Sequence, residues 1–124
     1  MILGLIPSRL RSKRLKNKAL IDIDGLPLII HTLKRAQMSK LLDKVIVCTD
    51  SKKIAHVVKK YGGNFMMTSP KHLNGTERIA EVAKKFKNCK LVIDIQGDEP
   101  LLNPKDIDRL IKFHKKKINN FDIV

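Results

Sequence analysis

Short apolar runs alternate along this chain with stretches in which apolar residues recur every three or four positions. Apolar runs rich in β-branched residues predict strands, and the longer spacing predicts amphipathic helices. The predicted strands cover residues 1–6, 44–49, 64–68 and 91–95, with a shorter extended piece at residues 20–23. The predicted helices begin at Pro27, after a capping Asp50 or Ser51, at Gly75 and at Pro104. We expect the last two to run over residues 75–86 and 104–117.

The order of these elements predicts an α/β fold. Strands that are apolar on both faces indicate a mostly parallel sheet covered by helices on each side. We expect a single domain over residues 1–124, because a chain of this length builds one core. Residues 121–124 are apolar again and look like the start of another strand, so we expect a truncated part of a longer protein.

Three polar segments follow predicted strands: residues 7–18, 68–78 and 96–100. The carboxyl ends of parallel strands lie along one edge of a sheet, which is where α/β proteins bind ligands. We therefore expect the three segments to converge on one site.

The first of these segments is strongly basic. Its side chains that can bond an anion are Arg9, Arg11, Ser12, Lys13, Arg14 and Lys18. Arginine and lysine make short, charge-assisted bonds to phosphate oxygens, so the segment is suited to a polyphosphate. The alternative is an ordinary basic surface loop.

The segment at residues 96–100 offers a carboxylate, Asp98, next to Gly97, which lets a ligand approach the backbone closely. Proteins usually hold Mg²⁺ with one or two carboxylates plus substrate phosphates. We expect Arg9 and Lys18 to face Asp98 across a space the size of a triphosphate, as a magnesium–nucleotide site requires. The alternative is a plain turn with Asp98 and Glu99 in solvent.

The middle segment places Gly75 and Thr76 at a helix start. Free backbone N–H groups and a hydroxyl there can meet an anion or the polar edge of a base. The alternative is an ordinary helix cap made by Asn74 or Thr76. His72 lies in the same segment and could touch a ligand; the alternative is an ordinary surface histidine.

The composition narrows the classes of protein to which this chain can belong. The chain has 26 Lys and Arg against 12 Asp and Glu, a net charge of +14 that invites a nucleic-acid partner. Aromatic residues are only 4% of the chain, which argues against a platform for stacking bases. The apolar runs are too short to span a bilayer, and Cys48 and Cys89 lie in no metal or redox spacing. We expect a cytoplasmic protein with reduced thiols and neither nucleic acid nor membrane as its partner.

Taken in order, these motifs resemble one family. The series is Ile6-Pro7-Ser8-Arg9, Ser12-Lys13-Arg14-Leu15, Gly25-Leu26-Pro27, Gly75-Thr76-Glu77-Arg78 and Gln96-Gly97-Asp98-Glu99-Pro100. It is similar to that of the 3-deoxy-manno-octulosonate (Kdo) cytidylyltransferases, and the likeness runs over essentially all 124 residues. The resemblance implies a Rossmann-like three-layer α/β/α fold of the nucleotide-diphospho-sugar transferase type.

The resemblance also implies a reaction, with Mg²⁺ as cofactor. The anomeric hydroxyl of Kdo attacks the α-phosphate of CTP, pyrophosphate leaves, and CMP-Kdo forms for lipopolysaccharide assembly. Arg9, Lys18 and Asp98 would be catalytic, and Asp98 would hold the metal. The CTP-binding residues would be Arg9, Ser12, Arg14, Lys18, Thr68, Ser69, Gly75, Thr76 and Arg78. Gln96 would reach the acceptor sugar.

The chain departs from the family pattern in its first segment and in its length. Lys16-Asn17 replace Pro-Gly, and Arg11 stands where the family has a small residue; Asn17 is expected to accept a left-handed backbone. Family members are longer homodimers whose later half supplies a second metal-binding Asp and much of the sugar pocket. Three alternatives stay open: transfer to another acidic sugar such as 8-amino-Kdo or a sialate, an inactive CTP-binding fragment, and a binding module completed by a partner chain.

Overall fold

Seven strands form two sheets in the computed structural model, which describes residues 1–10, 17–115 and 122–123. Five strands are β1 (Ile2–Ser8), β4 (Lys44–Thr49), β5 (Asn64–Met67), β6 (Leu91–Asp94) and β7 (Asp122–Ile123). They make one sheet in the order β5-β4-β1-β6-β7, and every neighbouring pair runs parallel. The other two, β2 (Asp22–Ile23) and β3 (Leu26–Pro27), form a small antiparallel hairpin.

Four helices connect the strands: α1 (Leu28–Gln37), α2 (Lys52–Lys60), α3 (Gly75–Ala83) and α4 (Pro104–Lys115). Three of them begin at a side-chain cap. At α4 the Asn103 Oδ1 accepts the N–H of the second residue, Lys105, at 3.0 Å. The Ser51 hydroxyl accepts the N–H of the third residue of α2, and the Asn74 side chain does the same for α3. Within the residues that the structure describes, no helix is both long and apolar enough to cross a bilayer.

The helices cover both faces of the large sheet, which confirms the predicted three-layer α/β class. On one face α1, α2 and α4 pack on a core that includes Ile6, Val47 and Ile93. On the other face α3 packs on a core that includes Leu5, Cys48 and Val92. Alternate residues of each strand therefore enter different cores, which explains why the strands are apolar on both faces.

The predicted elements are largely confirmed, with three differences. β1 continues through Pro7 to Ser8 rather than ending at Ile6. The extended piece predicted at residues 20–23 was wrong at its start, because Leu20 ends a single 3-10 turn whose Ala19 is buried in the core. The helix predicted over 75–86 ends at Ala83, because the N–H groups of Lys85 and Phe86 bond three residues back and tighten the chain into turns.

The remaining predictions concern the chain end and the thiols. α4 is described as far as Lys115, and residues 116 and 117 of the predicted helix lie outside the described part of the chain. The strand expected at 121–124 is present at Asp122–Ile123, where it pairs with β6. Both cysteines are free; Cys48 is buried, Cys89 is half-buried, and burial raises the pKa of the Cys48 thiol to about 12.

Candidate active site at the carboxyl edge of the sheet

The central strand β1 stops pairing with its two neighbouring strands at different residues, and the candidate site lies where this pairing ends. Pairing with β4 continues to Ser8, whereas pairing with β6 ends at Leu5. Pro7 has no backbone N–H and so donates no hydrogen bond to either neighbouring strand. Pro7 and Gln96 follow the last β1–β6 pair, and both line cavities at this edge.

Two of the cavities at this edge adjoin each other, and both are lined by Pro7, Ser8, Arg9 and Gln96. The first, of about 280 Å³, also reaches Lys18, Ala19, Leu28, Gly97 and Asp98. The second, of about 180 Å³, also reaches His72, Asn74, Gly75 and Arg78. Each of the three polar segments therefore contributes to a single groove, which confirms their expected convergence for the residues described.

Lys18 and Asp98 are in direct contact in the first cavity. The Lys18 Nζ donates to Asp98 Oδ2 at 2.8 Å, and both side chains are half-exposed. The expected triphosphate-sized space between these two residues was wrong: the cation and the carboxylate form an ion pair. The hydrogen bond from Lys18 lowers the pKa of Asp98 below its ordinary value, so the carboxylate is ionised at neutral pH.

Local backbone geometry places Lys18. Asn17 adopts the left-handed conformation, with φ 60° and ψ 25°, as expected for the residue that replaces glycine. Its N–H donates to the carbonyl of Leu10 at 2.8 Å, and this bond brings the end of the basic segment back towards the end of β1. A 3-10 turn begins directly after Asn17, and Lys18 is its first residue.

The position of Asp98 is fixed by Gly97, the residue before it, which packs against α1. The buried hydroxyl of Thr32 donates to the Gly97 carbonyl at 2.9 Å. A Cβ built on Gly97 would lie 3.4 Å from the Ile29 side chain, so the loop backbone rests directly on the helix. A buried α1 residue thus fixes the backbone next to the carboxylate.

Arg78 is buried, only 4% exposed, and bonded to the loop that precedes α3. Its Nη1 donates to the Thr68 hydroxyl at 2.5 Å and to the Ser69 carbonyl at 3.3 Å. The same nitrogen lies 3.9 Å from an Asp50 oxygen. Arg78 also lines the second cavity, so it borders the groove while it donates to the loop before α3.

The N-terminus of α3 closes the second cavity. A Cβ on Gly75 would lie 3.1 Å from the Pro7 ring, so the helix start packs on the end of β1. Asn74, not Thr76, caps the helix, and its Oδ1 accepts the Glu77 N–H at 2.9 Å. Thr76 is exposed on the first turn.

The structure gathers six of the predicted site residues along the groove: Arg9, Lys18, Gly75, Arg78, Gln96 and Asp98. Thr68 and Ser69 lie behind Arg78, where they accept its hydrogen bonds. Ser12 and Arg14 lie outside the described residues.

Sequence reasoning missed Thr32 and Glu81, both of which hold site loops in place. A signal existed for Thr32, which is a polar residue within the apolar stripe of α1. A weaker signal existed for Glu81, which lies one helical turn after Glu77 on the same face of α3.

A three-layer α/β domain with a basic segment, a helix N-terminus and a carboxylate at one sheet edge has the architecture of a nucleotidyltransferase. The chain belongs to the cytidylyltransferase family, whose family model matches residues 3–123.

Two relatives of this chain carry the same name. A 3-deoxy-manno-octulosonate cytidylyltransferase of Chlorobium phaeobacteroides is 49% identical over 104 residues, which cover 84% of this chain and 42% of that protein. The protein of the same name from Geobacter sulfurreducens is 42% identical over 110 residues, which cover 89% of this chain and 44% of that protein. The chain thus spans less than half the length of these relatives.

Two solved structures support the same family assignment. CMP:2-keto-3-deoxy-manno-octonic acid synthetase complexed with CTP superposes with a TM-score of 0.90 at 35% identity. The match covers 94% of this chain and 48% of that one. A cytidylyltransferase from Leptospira borgpetersenii superposes with a TM-score of 0.81 at 25% identity, covering 94% of this chain and 49% of that one.

Proposed function

We propose that this chain is the nucleotide-binding domain, residues 1–124, of an enzyme that transfers the cytidylyl group of CTP to Kdo. The anomeric oxygen bonds to the α-phosphorus, the bond from that phosphorus to the pyrophosphate oxygen breaks, and the hydroxyl proton leaves to solvent. The products are CMP-Kdo and pyrophosphate. One observation carries the proposal: Arg9, Lys18 and Asp98 line one cavity in a chain of the cytidylyltransferase family.

The basic side of the groove is the proposed phosphate site. Arg9 and Lys18 offer two cations at the end of β1, and we propose that Ser12 and Arg14 of the same segment join them. Phosphoryl-type transfer depends on positioning and on neutralising charge spread over phosphate oxygens. These side chains would grip the β- and γ-phosphates and stabilise the departing pyrophosphate.

Asp98 is the proposed ligand of a magnesium ion. Its carboxylate is ionised, half-exposed and in the same cavity as the cations, which fits a metal that takes oxygen ligands. Among the described residues no group of three or more His, Cys, Asp or Glu side chains is arranged to hold a metal ion, so phosphate oxygens and water would complete the coordination. Bound Mg²⁺ would draw negative charge from the phosphates.

The second cavity is the proposed nucleoside site. Gly75 and Arg78 line it and would border the cytidine. Thr68 and Ser69 would hold Arg78 in place through the hydrogen bonds they accept, and Thr76 would meet the nucleoside from the first turn of α3. Gln96 lines both cavities, so it is placed to meet an acceptor near the α-phosphate. The choice of Kdo rests on the names of the relatives. By the same likeness, we propose a homodimer in the cytoplasm.

Release of pyrophosphate from CTP and Kdo tests the proposal. The assay is run with Mg²⁺ on this chain alone and on the chain joined to the remaining half of a relative such as that of Chlorobium phaeobacteroides. We expect Kdo-dependent release from the joined protein, with UTP and a sialate as substrate controls. Absence of Kdo-dependent release from a folded joined protein, or equal release with the sialate, would contradict the assignment of Kdo.

A further inference from the structure

The loop between β5 and α3 is held by side chains of the helix that follows it. Both backbone groups of Ser69 are bonded in this way. Its N–H donates to Glu81 Oε1 at 3.0 Å, and its carbonyl accepts from Arg78 at 3.3 Å. The N–H of Leu73 donates to Glu77 Oε2 at 2.8 Å. Side chains from the first two turns of α3 thus satisfy backbone groups of this loop at Ser69 and Leu73 and help to fix its shape.

Glu81 also orients an imidazole. The same oxygen that accepts the Ser69 N–H lies 2.9 Å from His72 Nε2. The bond from the Ser69 N–H, followed by that from His72, lowers the pKa of Glu81, so this carboxylate is ionised at neutral pH and accepts both bonds. The hydrogen is therefore assigned to Nε2 of His72. The other ring nitrogen, Nδ1, lies 3.8 Å from Glu77 Oε2.

The oriented ring forms part of the groove. The His72 side chain is only 20% exposed and lines the second cavity with Gly75 and Arg78. The first cavity, with Lys18 and Asp98, has neither His72 nor Glu81 in its lining. The contacts of Glu81 therefore shape one end of the groove.

We propose that Glu81 is a positioning residue for the nucleoside end of CTP. By holding the Ser69 backbone and the His72 ring together, it keeps the second cavity in the shape that receives the nucleoside. The inference rests on the proposed function. It adds that the affinity for the nucleoside depends on Glu81, whereas the affinity for the polyphosphate does not.

Two ligands distinguish the contributions of the two ends of the groove: CTP, and inorganic tripolyphosphate, which has no nucleoside. The affinity of each is measured by calorimetric titration into the protein in the presence of Mg²⁺. Glu81→Met removes both acceptor bonds while keeping the side-chain length. We expect this variant to bind CTP about tenfold more weakly, a loss of about 1.4 kcal/mol. We expect tripolyphosphate to bind within about twofold of the wild-type affinity. Glu81→Gln retains an acceptor oxygen and should recover most of the affinity for CTP.

His72→Ala provides a second variant that leaves the Ser69–Glu81 bond in place, and His56→Ala, on the exposed side of α2, is the matched control. We expect weaker CTP binding from the first and no change from the second. Unchanged CTP affinity in both Glu81→Met and His72→Ala, or an equal loss for both ligands, would overturn the inference. A wild-type chain that binds neither ligand would instead contradict the proposed function on which it rests.

Discussion

Lys18 and Asp98 are separated by 80 residues in sequence, yet the ammonium of one donates a 2.8 Å hydrogen bond to the carboxylate of the other. The contact joins the end of the basic segment, which follows β1, to the loop after β6. A cation that binds phosphate and a carboxylate that binds metal are complementary to the same ligand, a metal–triphosphate complex. Their meeting marks the proposed phosphate end of the groove.

The ion pair is expected to matter for binding and little for folding. Lys18→Met keeps most of the side-chain length but removes the charge. Because both partners are half-exposed, the free energy of unfolding should change by about 1 kcal/mol or less. The affinity for CTP with Mg²⁺ should fall at least about tenfold, as is expected when a charge-assisted phosphate bond is lost.

Calorimetric titration of CTP together with urea unfolding checks both expectations. Lys34→Met, on the exposed side of α1, is the matched control. Wild-type affinity for CTP in the Lys18 variant would remove Lys18 from the phosphate site.

Asp98→Asn should make nucleotide binding insensitive to magnesium. The neutral amide is a poor ligand for a hard cation, whereas the ionised carboxylate of the wild type is a good one. In the wild type, the affinity for CTP should be higher in Mg²⁺ than in EDTA, and in the variant this difference should largely disappear. Asp106→Asn, at the exposed start of α4, should behave like the wild type. A full magnesium effect in the Asp98 variant would rule out Asp98 as the ligand.

Arg78 is expected to contribute more to stability than the half-exposed Lys18 does. Arg78→Met fills a similar volume but leaves the Thr68 hydroxyl and the Ser69 carbonyl without their donor. Loss of a donor from partly buried acceptors costs about 1–3 kcal/mol. Urea unfolding should show a loss in that range, whereas Arg109→Met, at an exposed pair on α4, should stay within about 0.5 kcal/mol of the wild type. Equal stability of the two variants would be inconsistent with the bonding described.

The stability contributed by Glu81 should depend on pH in one direction. The folded pKa of Glu81 is lowered, first by the Ser69 N–H and then by His72, so the ionised side chain stabilises the fold above its ordinary pKa. This contribution should be lost as pH falls through the folded pKa. Thermal unfolding should therefore show a higher Tm for the wild type than for Glu81→Gln near pH 7, and the gap should close on acidification below about pH 4.3. A gap that widened in acid would contradict the sign of the shift.

Much of the fold follows from the sequence, because buried apolar residues recur with the period of the helix or strand that carries them. Strands such as β4 are apolar on both faces because the sheet lies between two helical layers, and that pattern is local. Once the strands are parallel, the polar segments after them must share one edge. The general position of Arg9, Gly75 and Asp98 was therefore predictable.

The details of the site were not predictable, because they depend on side-chain directions and tertiary contacts. The Lys18–Asp98 contact requires the left-handed backbone at Asn17 and the 3-10 turn that follows it. The bonds of Arg78 and Glu81 to the preceding loop join residues 9 to 12 apart through the turn of a helix. Charge and spacing indicate which residues can interact, but the loop path decides which of them do.

Calorimetric comparison of CTP with CMP, each titrated into the wild-type chain with Mg²⁺, tests the central claim most directly. The two ligands share the base, sugar and α-phosphate, so their difference in affinity reports the β- and γ-phosphates alone. If Arg9, Lys18 and Asp98 form a triphosphate–metal site, CTP should bind at least about tenfold more tightly than CMP. Equal affinity for the two nucleotides would contradict it.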